Sequence, residues 1–358
     1  MILYIKQQNT IVLRKILNNM EDLYKYERNL NKQNIFIIGG VDEVGRGPLV
    51  GPVVAACVIL PTNFYLEGLT DSKKLTEKKR DKFYNYIKEN ALSYGIGVID
   101  EKRIDEINIY EATKEAMTMA IKDANKKIKI EHILIDAMPL KLNIPSTSII
   151  KGDAKSISIA AASVIAKVTR DKMMYELDQK YPMYDFKSNK GYPTKKHVEA
   201  INQYGIIKEH RKTYGPVKEY LEKRISSRAI IMEDDSIYLM YRRKLKEDNT
   251  YKEYYALPGG EQEQNETKEE TVIRELKEEF GCNIKIKKYL GKKVSNKSIE
   301  HFFNCEIIHG IPKLGGEEKE RCSQNNYYEI RKVPIKDLDK IDIYNLDIIM
   351  NAYNTYSP

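Results

Sequence analysis

The sequence predicts an α/β protein with two domains, and three observations indicate this. The chain has 358 residues, more than one ordinary hydrophobic core usually holds. Apolar β-branched runs alternate with helical patterns along both halves. The charge is divided unevenly, because residues 1–225 hold 38 Lys and Arg against 28 Asp and Glu, whereas residues 226–358 hold 22 against 24. A basic first half can attract a polyphosphate backbone, and the second half has no such bias.

The composition also excludes several classes of protein. No run of about 18 apolar residues exists, so we expect no transmembrane helix and no membrane association. The N-terminal residues lack the apolar segment of a signal peptide, and we therefore expect the protein in the cytosol. No pair of cysteines has CxxC spacing, which argues against a zinc ribbon and against a disulfide framework. No obligate protein partner is evident.

Three segments follow from the pattern. Residues 1–33 form a helical extension, with MEDLYKYERNL as its helix, and translation could begin at Met1 or at Met20. The first domain covers residues 34–223 and the second covers residues 227–358. The join, Lys223 to Ser227, contains no flexible Gly/Ser tract, so we expect two domains that are in contact or that move little relative to each other.

The first domain is organised around the stretch IFIIGGVDEVGRGP. Its apolar start predicts a buried strand that ends in two adjacent carboxylates, Asp42 and Glu43, followed by a tight loop at Gly45-Arg46-Gly47. Burying an ionised carboxylate is unfavourable unless a cation pairs with it. A metal ion at the strand end would explain the pair. The alternative is an N-cap-like Asp beside a solvated Glu.

The following segments continue the α/β pattern. The pattern predicts two strands at VGPVVAACVIL and LSYGIGVID, with a helix between them that starts near Thr76. It then predicts a helix at IDEINIYEATKEAMTMAIKDAN. A short strand, HILIDAMPL, follows and ends at Asp136. Ser156 to Gln179 is helical, and its small residues would let it pack closely on a sheet. Asp171 lies on or beside that packed face, where a carboxylate needs a partner or a metal.

Two further residues are candidate nucleic-acid contacts. Lys73, in the loop Asp71-Ser72-Lys73-Lys74, could contact a phosphate, although lysine pairs are usually solvated. Tyr192, in a Gly-Tyr-Pro turn, could stack on a sugar or base, although a core or surface role is more common for a tyrosine.

Taken together, these motifs resemble ribonuclease HII, the type 2 ribonuclease H, over roughly residues 20–222. The matching segments, in the family's order, are Asp42-Glu43-Val44-Gly45-Arg46-Gly47, Asp71-Ser72-Lys73-Lys74-Leu75, Leu134-Ile135-Asp136, Lys151-Gly152-Asp153-Ala154-Lys155-Ser156, Thr169-Arg170-Asp171 and Lys190-Gly191-Tyr192. The resemblance implies a ribonuclease H-like fold, a mixed sheet with flanking helices.

The resemblance also implies an active site and a substrate. Asp42, Glu43, Asp136 and Asp171 would be catalytic and would bind two Mg²⁺ or Mn²⁺ ions, which activate water and stabilise the leaving 3′-oxygen. Gly45, Arg46, Gly47, Lys73 and Tyr192 would bind substrate. The expected substrates are RNA–DNA hybrids and duplex DNA with an embedded ribonucleotide, which is cut on its 5′ side.

The second half contains a predicted β-hairpin, RAIIMEDDSIYLMYRR, and a longer sequence motif that follows it. A strand ends in Pro258-Gly259-Gly260, and a helix follows from about Thr267 to Phe280. The spacing is that of the Nudix box, GX5EX7REUXEEXGU, where U is aliphatic. Its members here are Gly260, Glu266, Arg274, Glu275, Glu278, Glu279 and Gly281. The one departure is Cys282 at the final aliphatic position, which we expect to pack as a small hydrophobe.

Residues 227–358 therefore resemble Nudix hydrolases. The resemblance implies an α/β/α sandwich that hydrolyses a nucleoside diphosphate derivative. Glu275, Glu278 and Glu279 would hold Mg²⁺ or Mn²⁺, Glu278 is the candidate catalytic acid, and Arg274 would orient the acidic side chains. Three aromatic residues are candidate base contacts or core residues: Phe302, Tyr327 and Tyr328.

Two alternatives stay open at the level of sequence. The Nudix half could be a non-catalytic nucleotide-binding regulator of the nuclease, although a sensor does not need all three glutamates. The first half could be a structure-selective DNA nuclease or integrase on the same fold, and the Gly45-Arg46-Gly47 loop and Tyr192 argue against this.

Overall fold

The computed structural model describes residues 23–356, which form two compact units. The first unit ends at Leu221 and the second begins at Glu222. Within the described residues, none of the helices combines the length and the apolar character that crossing a membrane requires.

The first unit is built on a mixed five-stranded sheet. Its strands are β1 (Ile38–Val44), β2 (Val53–Ile59), β3 (Ser93–Ile99), β4 (His132–Asp136) and β5 (Ser146–Ile149). They lie in the order β3-β2-β1-β4-β5. β1 is central, antiparallel to β2 and parallel to β4. The predicted hairpin partner of the Asp42-Glu43 strand and the mixed sheet are confirmed.

Helices cover both faces of this sheet. They are α1 (Lys25–Asn31), α2 (Glu77–Asn90), α3 (Glu101–Ala124), α4 (Ile157–Lys180), α5 (Phe186–Asn189), α6 (Lys195–Tyr204) and α7 (Gly215–Leu221). α3 packs on one face and α2 with α4 on the other. The small residues of α4, among them Ala160, Ala161 and Ala162, are fully buried, as the sequence predicts.

Two predicted helices differ in detail. α3 begins at Glu101, earlier than predicted, because Asp100 caps it, and it is interrupted at Asn108, whose backbone is in the left-handed region (φ 69°). The N-terminal helix begins at Lys25, and the predicted residues before Leu23 lie outside the described part. α1 is anchored to the start of α4, because the buried Glu27 accepts hydrogen bonds from Ser156 Oγ (2.5 Å) and Ser158 N (3.1 Å).

The second unit contains a six-stranded mixed sheet. Its strands are β6 (Arg224–Glu233), β7 (Ser236–Leu245), β8 (Tyr251–Ala256), β9 (Asn283–Val294), β10 (Ser298–His309) and β11 (Asn326–Pro334). The order is β11-β7-β6-β10-β9, and β8 pairs with β7. β6 already begins at Arg224, because Arg224 pairs with Ser298 of β10. Most of the Lys223–Ser227 join that the sequence predicts is therefore strand.

Helices again lie on both faces. They are α8 (Lys268–Phe280), α9 (Gly316–Glu320) and α10 (Leu346–Tyr356). Thr267 and Glu270 form a capping box at the start of α8, which fixes where this helix begins. Cys282 and Phe302 are 1% exposed and lie in the cores under α8 and α10 respectively. Cys282 thus packs as the predicted small hydrophobe, and Phe302 is a core residue.

Candidate active sites

Three of the four predicted acids of the first unit lie at adjacent strand ends. Val41 pairs with Ile135, so Asp42 on β1 lies beside Asp136 at the end of β4. Asp42 is only 6% exposed. Its Oδ1 accepts a hydrogen bond from Glu43 N at 2.7 Å, and Asp136 Oδ1 accepts one from Gly152 N at the same distance.

Burial and mutual repulsion shape the electrostatics of these acids. Burial, and then the charges of Glu43 and Asp136, raise the pKa of Asp42 well above its usual range. Burial likewise raises the pKa of Glu43, and Asp136 adds to the effect. Glu43 Oε1 lies 3.4 Å from Arg46 Nη1, whereas Glu43 Oε2 is buried without a hydrogen-bond partner. An unpaired buried carboxylate oxygen is unfavourable unless a cation reaches it.

Asp171 is placed differently from the other three acids. It projects from α4, and its carboxylate contacts Lys167 Nζ at 2.7 Å and Arg80 Nη2 at 3.8 Å. Arg80 also donates hydrogen bonds to the carbonyls of Ser72 (3.2 Å) and Leu75 (2.6 Å). Among residues 23–356, no three His, Cys, Asp or Glu side chains converge closely enough to ligate one ion as they stand.

The predicted substrate loop is held by two buried arginines that the sequence analysis missed. Arg211 donates to the carbonyls of Gly45 (2.6 Å) and Arg46 (3.0 Å), and Arg170 donates to those of Val50 and Pro52 at 3.0 Å each. Gly45 has φ +93°, and a Cβ there would lie 2.3 Å from Arg170 Nε, so only glycine fits. The sequence contained no signal for the role of either arginine, because burial cannot be seen from sequence alone.

Tyr192 and Lys73 lie at the edges of the same site. A Cβ on Gly47 would lie 3.3 Å from the Tyr192 ring, so the ring packs against the loop, and 42% of Tyr192 is exposed. Burial raises the pKa of Asp136, and the nearby charge of Lys73 opposes this rise. The structure therefore places an exposed ring against the loop and a lysine near Asp136.

In the second unit, Arg274 links the acids of the box. Its guanidinium donates to Glu266 (2.8 Å), Glu275 (2.8 Å) and Glu278 (3.1 Å). Gly260 gives Glu275 room, because a Cβ at this position would lie 2.3 Å from the Glu275 carboxyl carbon. Glu278 is the most exposed of these acids, at 54% of its side chain.

Glu279 is the most buried acid of the box, and it has a partner that the sequence analysis missed. Burial, followed by the charge of Glu318 on α9, raises the pKa of Glu279 to about 8. Gly315 N donates to Glu279 O at 2.8 Å, which holds the start of α9 against the end of α8. Gly259 N donates to Glu279 Oε2 at 3.3 Å.

Comparisons with known proteins match each of the two units to a family. The family model described as ribonuclease HII matches residues 39–215, and the NUDIX domain model matches residues 222–346. Ribonuclease HII from Bacillus cytotoxicus is 57% identical over 204 residues, which are 57% of this chain and 78% of the relative. Ribonuclease HII from Bacillus mycoides is 56% identical over 202 residues, 56% of this chain and 78% of the relative.

Solved structures that are similar to parts of this chain include the following two. Ribonuclease H2 from Pyrococcus horikoshii has 30% identity and a TM-score of 0.44, covering 51% of this chain and 96% of its own. An ADP-ribose pyrophosphatase from Streptococcus suis has 18% identity and a TM-score of 0.26, covering 37% and 93%. The family models and the sequence identity to the Bacillus relatives show the family of the chain. The chain is therefore an enzyme of the ribonuclease HII family that carries a second, NUDIX domain over residues 222–346.

Proposed function

We propose that the first unit is a metal-dependent endonuclease. It cuts the RNA of RNA–DNA hybrids and cuts on the 5′ side of a ribonucleotide embedded in duplex DNA, leaving a 3′-OH. The observation that carries this proposal is the group of carboxylates beside the Gly45–Gly47 loop, in which Asp42 is buried and Glu43 and Asp136 are half-buried. A cluster of this kind suits the scission of a phosphodiester and has little value for packing.

The residues fit a divalent metal. The donors are carboxylate oxygens, which Mg²⁺ and Mn²⁺ prefer, and the orphan Oε2 of Glu43 is a buried oxygen without a partner. Asp42, Glu43, Asp136 and Asp171 would hold the ions. When bound, such ions supply an activated water and a counter-charge for the leaving 3′-oxygen. Lys167 and Arg80 form ion pairs with the Asp171 carboxylate and restrain it.

The loop and Tyr192 provide selectivity for ribose. The backbone of Gly45 and Gly47 can approach a sugar closely because neither residue has a side chain, and a 2′-OH can be recognised by backbone groups. Arg46, with 44% of its side chain exposed, is available to a phosphate or a ribose. Tyr192 offers its exposed ring for stacking at the sugar beside the RNA–DNA junction. Lys73 adds a phosphate contact.

The test uses three duplexes of one sequence: all DNA, DNA with a single ribonucleotide, and an RNA–DNA hybrid. The full-length protein should cut the second and third and leave the first intact, with products that a polymerase can extend from the 3′ end. Cutting of the all-DNA duplex would favour a structure-selective DNA nuclease instead.

For the second unit we propose hydrolysis of a nucleoside diphosphate derivative. Glu275, Glu278 and Glu279 would hold Mg²⁺ or Mn²⁺ against the diphosphate, and Glu318 adds a fourth carboxylate beside Glu279. The ion would polarise the diphosphate oxygens. Glu278 is the candidate catalytic acid because it is the most exposed, and Arg274 orients it from 3.1 Å.

A hydrolysis panel tests this proposal. The full-length protein, with Mg²⁺ and then Mn²⁺, is offered oxidised and normal deoxynucleoside triphosphates, ADP-ribose, dinucleoside polyphosphates and NADH, beside a Glu278→Gln variant. We expect turnover of one class that the variant loses. Binding without turnover in the wild type would instead support a regulatory nucleotide-binding module.

A further inference from the structure

We propose that the buried pair His197–His210 positions Tyr192 against the Gly45–Gly47 loop and thereby sets the preference of the nuclease for a ribonucleotide at an RNA–DNA junction. The two histidines act through Tyr192 and not on the substrate, so they are positioning residues. This inference rests on the proposed function, in which the Tyr192 ring stacks on the sugar beside the junction. It names the residues that hold this ring in place.

The hydrogen-bond partners of the two histidines determine which ring nitrogen carries a hydrogen. The carbonyl of Tyr192 can only accept, and it lies 2.9 Å from His197 Nδ1, so neutral His197 carries its hydrogen on Nδ1. The backbone nitrogen of Ile207 can only donate, and it lies 2.9 Å from His210 Nδ1, so neutral His210 carries its hydrogen on Nε2. His210 Nε2 therefore donates to the bare Nε2 of His197 at 3.3 Å. The three hydrogen bonds form one chain that runs in a single direction from Ile207 to Tyr192.

The histidine pair is buried among aromatic rings. His197 is 0% exposed and His210 is 1% exposed. The centroid of the Phe186 ring lies 5.3 Å from that of His197, and the centroid of the Tyr184 ring lies 5.5 Å from that of His210. The Tyr184 hydroxyl donates away from the pair, to the carbonyl of Gly205 at 2.8 Å. Burial lowers the pKa of both histidines, so both rings are neutral near pH 7 and the direction of the chain is preserved.

The hydrogen-bond chain joins the two segments that form the ribose-binding side of the site. Next to His210, Arg211 N donates to Leu49 O at 2.8 Å, and the Arg211 guanidinium donates to carbonyls of the Gly45–Gly47 loop. At the other end of the chain, the Tyr192 ring packs against the same loop. Breaking the chain would therefore release the ring from the segment that holds the loop.

Packing alone does not explain two histidines at this place. The surrounding rings would accept apolar side chains equally well, and a buried polar nitrogen is unfavourable unless it is hydrogen-bonded. All four ring nitrogens of the pair are hydrogen-bonded, and the chain ends on the carbonyl of Tyr192. The same turn is held a second time, because Arg170 Nη1 donates to Lys190 O at 2.9 Å. The backbone that carries the Tyr192 ring is thus fixed from two sides.

The test compares two substrates of the full-length protein by steady-state kinetics. One is a DNA duplex with a single ribonucleotide, and the other is a continuous RNA–DNA hybrid, in which the bonds that are cut lie within RNA. The readout is the ratio of kcat/KM for the first to kcat/KM for the second. His197→Phe removes both hydrogen bonds of the ring and keeps an aromatic ring in its place. We expect the ratio to fall about tenfold, the scale of one buried hydrogen bond, whereas a merely structural role would lower both values alike.

Matched variants separate the hydrogen bonds from the packing. His197→Asn keeps an amide N–H near the position of Nδ1, and it should restore most of the ratio. Phe186→Leu disturbs the packing of the same rings without removing a hydrogen bond of the chain, and it should leave the ratio unchanged. In a Tyr192→Ala background, His197→Phe should lower the ratio no further, because the histidine acts through Tyr192. Thermal unfolding of each variant checks that the first unit is folded.

The hydrogen positions can be measured directly. The protein has five histidines, so isotope labelling of histidine nitrogen gives few NMR signals. We expect His197 to carry its hydrogen on Nδ1 and His210 to carry its hydrogen on Nε2. The loss of one set of signals in His197→Phe and of another in His210→Gln assigns them.

The outcomes distinguish this inference from the proposed function. An unchanged ratio in His197→Phe, or a fall that is equally large in the Tyr192→Ala background, would overturn the inference and leave the nuclease activity standing. A hydrogen on Nε2 of His197 would overturn it as well. Wild-type protein that cuts neither substrate, or that cuts an all-DNA duplex, would refute the proposed function and this inference with it.

Discussion

The guanidinium of Arg211 donates a 2.6 Å hydrogen bond to the carbonyl of Gly45, although 166 residues separate the two along the chain. Arg211 also donates to Gly51 O at 2.7 Å and is fully buried. Burial lowers the pKa of Arg211, yet the group stays charged because its ordinary value is so high. The shape of the loop beside the acids thus depends on a residue near the end of the first unit.

The substitution Arg211→Met should destabilise the first unit and impair nicking. It leaves the buried carbonyls of Gly45 and Gly51 without donors, which we expect to lower the free energy of unfolding by about 2–4 kcal/mol. Urea unfolding measures the free energy of unfolding. The rate of nicking at a single ribonucleotide measures the effect of the changed loop on activity. Arg103→Met, at an exposed residue paired with Glu106 and Glu115, is the control and should leave the free energy of unfolding nearly unchanged. Equal effects of the two substitutions would refute the role of Arg211.

The acid site of the NUDIX unit should bind metal more tightly as pH rises towards 8. The pKa of Glu279 is about 8, raised first by burial, so below that pH a proton must leave before the carboxylate can ligate an ion. The same shift means that the metal-free protein holds a proton which the unfolded chain releases near pH 4.5. Stability therefore falls as pH rises through that interval. Titration calorimetry with Mn²⁺ in buffers of different ionisation enthalpy measures the released proton.

The variant Glu318→Gln provides the control for this assignment. It removes a charge that raises the pKa of Glu279, so proton release on Mn²⁺ binding should move to lower pH. Proton release that does not shift in this variant would show that another group titrates.

The His197–His210 pair should make the first unit less stable in mild acid. Burial lowers the pKa of His210 to about 3, and the two Nε2 atoms lie 3.3 Å apart. An unfolded histidine titrates near 6.5, so the unfolded chain binds more protons as pH falls below that value. Stability should drop by about 2 kcal/mol between pH 7.5 and 5 from His210 alone. Urea unfolding at these pH values should give a smaller difference for His210→Gln, and an unchanged difference would contradict the assignment.

The fold was largely predictable because its signals are local. The Asp42-Glu43 strand and its hairpin partner, the small-residue helix α4 and the spacing of the Nudix box are all visible in short stretches of sequence. The break in α3 at Asn108 and the early start of β6 at Arg224 were not predictable. The first depends on a single backbone conformation, and the second depends on pairing with Ser298, 74 residues away in sequence.

The sequence predicts the acidic residues of the candidate sites. It does not predict the residues that position those acids. Asp42, Glu43 and Asp136 stand at strand ends that the sequence marks. The contacts of Arg211 with Gly45 and of Glu318 with Glu279 join segments far apart in sequence, and nothing local signals them. The ion pair of Asp171 with Lys167 could have been predicted, because the two residues have i, i+4 spacing on one helix. The contact of Asp171 with Arg80 could not, because Arg80 lies on another helix far away in sequence.

The most direct test of the four-acid nuclease site is single-turnover nicking of a duplex with one ribonucleotide, compared between the wild type and Asp136→Asn. Binding of the same duplex is measured in parallel, and Asp123→Asn, at an exposed residue on α3, is the matched control. We predict that Asp136→Asn lowers the nicking rate by at least about a hundredfold, the scale of losing a group that acts on the transition state, and leaves duplex binding intact. Nicking by Asp136→Asn at a rate near that of Asp123→Asn would remove Asp136 from the mechanism and contradict the proposed site.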